Sequence, residues 1–412
     1  MATDPMERET AWSWRQVVDG LPLFFVFFMW SFGSGAIQLA RPLFAFEVTE
    51  SIFLVAVMVS VTGTSRIVSA PLTGFLTDRF GRKPLILFGA GLRGAGSLGQ
   101  FFVDSYAGFV ILEFIAQAGV SIFITGITVH VSDVTTRENR GRFLAVRTLS
   151  SRIGQIAGPA VGGLIAGFAS LQHVFLFDSI TKFAIVIVVL VLIRESRPST
   201  DHAKAPRANE PGRSRFDLSP FMHATFLALG ASVVAGTLLQ QGITYSVLPV
   251  HASESVGLTP EGLGALVSMA ALLGVLVAYP NGILSDRFGR KFSLAPGLLI
   301  LAVGTTVLAI SPSYVALALA MAAFGIGEGM VMGTTQAFAM DLAPTEGRGA
   351  FLGIWSLVRS ISSVLIPLGI GGLYAAYSPQ GAFLVASAWL VVSAVLVITI
   401  AKESGGRGAS GE

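Results

Sequence analysis

Twelve apolar stretches, each long enough to cross a bilayer, occupy most of this 412-residue sequence. They fall roughly at 21–46, 52–76, 84–103, 107–130, 143–168 and 172–193, then at 222–250, 262–284, 292–310, 314–340, 350–373 and 381–401. A helix spans the hydrocarbon layer with about 17–25 residues, so each stretch predicts one transmembrane helix. Composition agrees: 12% of residues are charged and the mean hydropathy is +0.73, against about 25% charged in a soluble domain. Cysteine is absent, which excludes disulfides, a thiol nucleophile and Cys-ligated metal. The first twenty residues mix Asp4, Glu7, Glu9 and Asp19 with two arginines, unlike a cleavable signal peptide, so the first stretch is expected to be retained.

The charges that remain are placed unevenly. Arg79, Arg82 and Lys83, then Arg137, Arg140 and Arg142, then Arg287, Arg290 and Lys291, then Arg348, all fall in loops after even-numbered spans. The loops on the other side, near 104–106, 169–171, 251–261, 311–313 and 374–380, carry no Lys or Arg. The positive-inside rule then predicts a multi-pass protein of the cell (inner) membrane with both termini cytoplasmic. The basic pI of about 9.3 thereby reports topology and gives no reason to expect a nucleic-acid partner. Between spans six and seven, Arg194 to Pro220 holds four prolines and a scatter of basic residues, which reads as a solvated linker. The chain divides accordingly into a six-helix bundle over 1–193, a cytoplasmic linker over 194–220 and a second bundle over 221–412.

The two halves repeat. A shift of 208 residues carries Asp78 onto Asp286, Arg82 onto Arg290, Asp133 onto Asp341, Arg140 onto Arg348 and Pro159 onto Pro367. It also carries Arg194-Glu195-Ser196 onto Lys402-Glu403-Ser404. Parallel repeats of this kind are related by an axis along the membrane normal.

Gly74, Leu76, Asp78, Arg79, Gly81, Arg82 and Lys83 close span two, and Gly282, Leu284, Asp286, Arg287, Gly289, Arg290 and Lys291 close span eight. This doubled G-x-L-x-D-R-x-G-R-K pattern resembles the loop signature of the major facilitator superfamily, and the likeness covers essentially the whole chain. It implies an all-α membrane fold of twelve helices in two pseudo-symmetric bundles, working by alternating access. It further implies that Asp78 faces the start of span eleven and Asp286 the start of span five, latching the cytoplasmic side, with Arg140 and Arg348 in the same gate. Gly154, Gly158, Pro159, Gly162 and Gly163 of span five resemble the glycine–proline motif of drug:proton antiporters. Physically, that proline removes a backbone hydrogen bond and the glycines allow close packing, which a generic packing seam would also use.

Ionisable side chains inside spans are costly and point to chemistry. Glu328, flanked by Gly325, Gly327 and Gly329, lies near mid-depth of span ten. It is the first candidate for proton coupling, with substrate contact and a structural hydrogen bond as alternatives. Glu113 is the second candidate. It sits where the resemblance leads one to expect an arginine, while Arg41 occupies the outer third of span one, where antiporters often carry an acid. A swapped Arg41–Glu113 pair is one expectation; a snorkelling Arg41 is the other. Arg66 is deeper and is expected either to pair with Glu113 or to hold an anionic group. Arg93 and Arg359 are expected to pack within their own halves, and Asp178 and Lys182, four apart, to neutralise each other. Gln117, Gln240, Gln241, Tyr245 and Gln336 complete the expected cavity lining, and Arg147 and Arg152 are assigned to the gate region.

No nucleotide-binding loop, zinc-protease motif or catalytic triad stands out, so an enzyme and an ATP-driven pump are disfavoured. The expected activity is proton-coupled efflux of lipophilic or cationic small molecules by a multidrug-type antiporter. The alternative is a metabolite transporter for a sugar or organic anion. The expected partners are a small-molecule substrate, protons and the bilayer, with no cofactor beyond the proton gradient, in a monomer.

Overall fold

The computed structural model describes residues 14–135, 140–193, 195, 224–343 and 348–403. The expected linker therefore falls outside the described residues, apart from Glu195. In the first half the helices are α1 (Trp14–Thr49), α2 (Ile52–Phe80), α3 (Arg82–Phe101), α4 (Tyr106–Val134), α5 (Arg140–Phe168) and α6 (Leu171–Leu192). The second half holds α7 (Ala224–Val256), α8 (Pro260–Phe288), α9 (Arg290–Ile310), α10 (Tyr314–Leu342), α11 (Arg348–Ala376) and α12 (Pro379–Thr399). No strand occurs among the described residues. Ten of these helices are long and apolar enough to cross a membrane on their own composition; α3 and α5 are not among them. Those two carry Arg93 and Gln100, and Arg147 and Arg152, on faces turned to other helices or to the cavity.

Helix starts are written locally and repeat with the 208-residue shift. Ser51 accepts from the Leu54 amide at α2, and Thr259 from the Gly262 amide at α8. Ser105 and Ser313 do the same at α4 and α10, satisfying amides that have no intrahelical partner. One helix departs from the uninterrupted span expected near 222–250: α7 is π-helical over Leu238–Val247. The wider turns carry Gln240, Gln241, Thr244 and Tyr245 to the central cavity; such insertions cluster at functional sites.

Within the first half α1 packs on α5 and α6, α3 on α4 and α6, and α2 on α4. The second half repeats this with α7 on α11 and α12, α9 on α10 and α12, and α8 on α10. Even single hydrogen bonds recur: Ser179 donates to the Gly94 carbonyl at 2.9 Å, and Ser387 to the Ala302 carbonyl at 3.0 Å. The outward surface is apolar throughout, with Phe88, Ile111, Val191, Val303 and Leu365 all exposed. In water a surface of that kind would drive aggregation; in lipid it is solvated.

The halves meet mainly along two seams, α5 with α8 and α2 with α11, and α7 also touches α1 and α2. In lipid no hydrophobic force draws helices together, so small residues that let backbones touch decide where they pack. Gly163 lies against Pro260 and Gly264, and its repeat equivalent Gly371 lies against Ala56. The Ala160 amide donates to Ser268 across the first seam at 2.9 Å. All these contacts lie toward the end of the molecule remote from the basic loops. Within the first half, Gly154, Gly158 and Gly162 lay α5 directly on the α1 backbone at Phe28, Phe32 and Ala36. Gly158→Val should therefore lower the stability by about 1–3 kcal/mol through overpacking, read as a drop in thermal unfolding temperature in detergent. Gly372→Ala, whose added methyl meets nothing within 4 Å, is the control and should leave it unchanged.

Candidate functional site

Between the halves lies a cavity of about 1060 Å³. Its deep wall includes Gln38, Arg41, Arg66 and Tyr245, and it runs out to Asp286 and Arg290 at the basic end. With the seams joined at the opposite end, this is a cavity open toward the basic loops. Trp30, Met58, Val59, Ile124 and Phe324 give it an apolar wall. Of the residues expected to line it, Glu328, Arg41, Arg66, Gln117, Gln240, Gln241 and Tyr245 do so. Gln336 does not: it is exposed on α10, outside the lining, while its neighbours Met332, Gly333, Thr334 and Ala337 face inward. The sequence showed its depth in the span, and the rotation of α10 decided its face.

Behind the deep wall, four helices of the first half are tied by buried charges. Arg41 of α1 lies 3.2 Å from Glu113 of α4, so the swapped pair forms and Arg41 does not snorkel. Glu113 also accepts from Gln117 at 2.7 Å and from Gln100 at 2.9 Å. Arg93 of α3 stands between the acids, 3.7 Å from Glu113 and 3.0 Å from Asp178 of α6. Lys182 closes the chain on Asp178 at 2.7 Å, donates to the Trp30 carbonyl and lies over the Trp30 ring, which stacks on Phe123. Arg93, Glu113, Asp178 and Lys182 have no exposed surface at all. Gly33 leaves the space they need, since a methyl there would strike Thr181, Asp178 and Lys182. Three cations and two anions make up this network, leaving one positive charge in excess, on the side that Arg41 turns to the cavity.

The sequence pointed to the two pairs, not to Arg93 as the link between them. Gln100 and Ser97, the latter bonded to Asp178 at 2.7 Å, carried no signal, because polar residues thirteen or more positions apart meet only once α3, α4 and α6 are packed. Arg66 makes no ion pair among the described residues and is exposed to the cavity, so its expected pairing with Glu113 does not form; Arg41 and Arg93 occupy that carboxylate instead. Across the cavity Glu328 likewise makes no ion pair among the described residues, and Arg152 is the cation whose charge it feels. Tyr245 and Gln38 line the same wall of the cavity.

At the basic end the doubled motif works mostly inside each half. Gly81 and Gly289 adopt positive φ, 82° and 102°, which turns the chain sharply into α3 and α9. Glu195 then accepts from the amides of Arg82 and Lys83, and Glu403 from those of Arg290 and Lys291, capping the positive ends of both helices. Arg82 binds Asp133 at 2.9 Å and Arg290 binds Asp341 at 3.1 Å. Lys83 and Lys291 reach the Leu190 and Ile398 carbonyls. The caps were visible in advance only as the repeat of Glu195 in Glu403. Asp286 pairs with Arg290 at 2.6 Å and is otherwise exposed. Arg79 and Arg287 lie over Phe75, Phe80 and Phe288. Gly74 and Gly282 have open space beside them. The side chains of Asp78, Arg140 and Arg348 lie outside the described residues. Arg147 and Arg152 line the cavity. Among the described residues no group of His, Asp and Glu is arranged to hold a metal ion.

A profile of the Major Facilitator Superfamily matches residues 23–240 and again 230–410. The "Tetracycline resistance protein, class C" of Escherichia coli is 24% identical over 84% of this chain and 85% of its own length. "Multidrug resistance protein 1" of Bacillus subtilis is 24% identical over 89% of this chain and 92% of its own. Among solved structures, a nucleoside transporter superposes with a TM-score of 0.79 over 93% of this chain and all of its own, at 14% identity. That last likeness is one of fold.

The buried network makes its own prediction. Asp178→Asn strands Arg93 and Lys182 without a full counter-charge and should cost about 3–5 kcal/mol. Replacing Arg93, Asp178 and Lys182 together by the residues of the second half at the same positions, Leu301, Ala386 and Leu390, should cost less than the single change. Thermal unfolding of the purified variants decides the order.

Proposed function

This chain belongs to the major facilitator superfamily, a family of membrane transporters, and from that membership we propose that it exports lipophilic small molecules across the cell (inner) membrane in exchange for protons. The observation that carries the reading is the cavity between two repeat-related halves, with the carboxyl of Glu328 facing it free of any ion pair among the described residues. Rocking of the halves about this site would expose it to one side and then the other. The same motion changes the access of water to Glu328 and its distance from Arg152, the two quantities that decide whether it holds a proton. The positive-inside pattern makes the open, basic end the cytoplasmic one, so the cavity is in the state that loads a cargo for export. The relatives named for tetracycline and multidrug resistance support efflux and a lipophilic or cationic cargo.

One observation favours a second reading, transport of an organic anion: Arg66 faces the cavity with no ion-pair partner among the described residues, and Arg41 beside it belongs to a network with positive charge in excess.

Both readings are tested in proteoliposomes under an imposed pH gradient, with cationic dyes, sugars and organic anions as cargo. Glu328→Gln should abolish gradient-driven transport while the protein still inserts and unfolds at the wild-type temperature. Full coupling in that variant would remove Glu328 from the mechanism.

A further inference from the structure

The two seams between the halves are related by the 208-residue repeat, yet they differ in charge at one level toward the basic end. Along the α2–α11 seam the antiparallel helices meet at Ala56 with Gly371 and, two turns closer to the basic end, at Gly63 with Ser363. Three residues further along α2 is Arg66, and four residues back along α11, on the face that carries Ser363 and Gly371, is Arg359. The next rung toward the basic end is thus a pair of arginines. They are near enough for Arg359 to be the strongest charge acting on Arg66. Both are exposed, Arg66 in the cavity wall and Arg359 outside that lining, and neither makes an ion pair among the described residues. Arg359 was expected to pack within its own half; its face on α11 turns it to the other half instead.

At the same level of the α5–α8 seam the repeat places Ser151 and Gly274, both lining the cavity. Two small, uncharged residues can close on each other with no penalty. Two guanidinium groups cannot, because bringing like charges together away from water is costly in proportion to their approach. The acids nearby are committed or elsewhere: Glu113 is held by Arg41 and Arg93, and Glu328 lies in the field of Arg152. No residue described at this rung supplies the missing negative charge.

We propose that Arg66 and Arg359 form one anion subsite shared between the halves, and that a carboxylate or phosphate-type group on the cargo bridges them and draws the basic ends of α2 and α11 together. Arginine suits this, since its planar fork binds such groups with two parallel hydrogen bonds. The bound anion replaces a repulsion between the halves by an attraction, so loading itself favours closure; the free cavity stays open. This rests on reading the cavity as the transport site and assigns its cargo an anionic group on an otherwise apolar body.

The chain has no native cysteine, so Phe75→Cys on α2 and Gly353→Cys on α11 can carry spin labels on an otherwise unlabelled protein. Titration with 2-naphthoate should shorten the distance between the labels, while 2-naphthylmethylammonium should not. Arg359→Gln or Arg66→Gln should weaken naphthoate binding about tenfold or more, as expected for losing a charge-assisted contact, and should abolish the shortening. Arg359→Lys should keep much of both. Naphthoate binding that is unchanged in Arg359→Gln, or binding that leaves the label distance unchanged, would overturn the proposal. Both readouts are equilibrium measurements, so their result stands apart from whether the pH-gradient assay finds export.

Discussion

The fold rests on backbones that touch. In hydrocarbon an apolar side chain gains nothing by leaving lipid for another helix, so association depends on close packing and on polar contacts. Helix α5 makes the close approach in two directions at once: Gly154, Gly158 and Gly162 set it on α1, and Gly163 sets it on α8 of the other half. It is therefore both a wall of its bundle and the rail on which the other bundle bears. Gly371 gives α11 the second of these functions against α2. Because the closest of these cross-half contacts lie toward one end, the halves part at the other, and the cavity opens there.

Around that frame the two halves spend polarity differently. The first is knit internally by ions, from Arg41 through Glu113, Arg93 and Asp178 to Lys182. At the corresponding layer the second half has Met321, Leu301, Ala386 and Leu390, all buried hydrocarbon. Removing any member of the ionic layer strands its partners, a cost the apolar layer does not carry. The first half therefore places its excess positive charge at the cavity wall. The second contributes the π-helical stretch of α7 and the unpaired Glu328. Paired charge on one side of the cavity thus faces, on the other, an acid with no ion pair among the described residues.

Much of this was legible residue by residue. The Arg41–Glu113 and Asp178–Lys182 pairs could be read because each charge in hydrocarbon demands a partner and few candidates share its depth. The repeat marked Glu195 and Glu403 as a matched pair, though not as helix caps. Depth, however, says nothing of rotation about the helix axis. Gln336 lies within a span and faces away from the cavity; Arg359 faces the opposite half; Arg66 finds Glu113 already occupied. The π-helical stretch in α7 was not legible either: the local sequence around Gln240 and Tyr245 is compatible with an ordinary helix.

What the sequence determined by itself is the number of spans, their alternation, the repeat and the places where helices can approach, because each follows from local composition: apolar length, basic loops, glycine and proline spacing. What only the tertiary structure decided is which charges compensate one another and which remain uncompensated. That outcome depends on azimuth and on competition among residues far apart in the chain, and it is what left Glu328, Arg66 and Arg359 without ion pairs among the described residues.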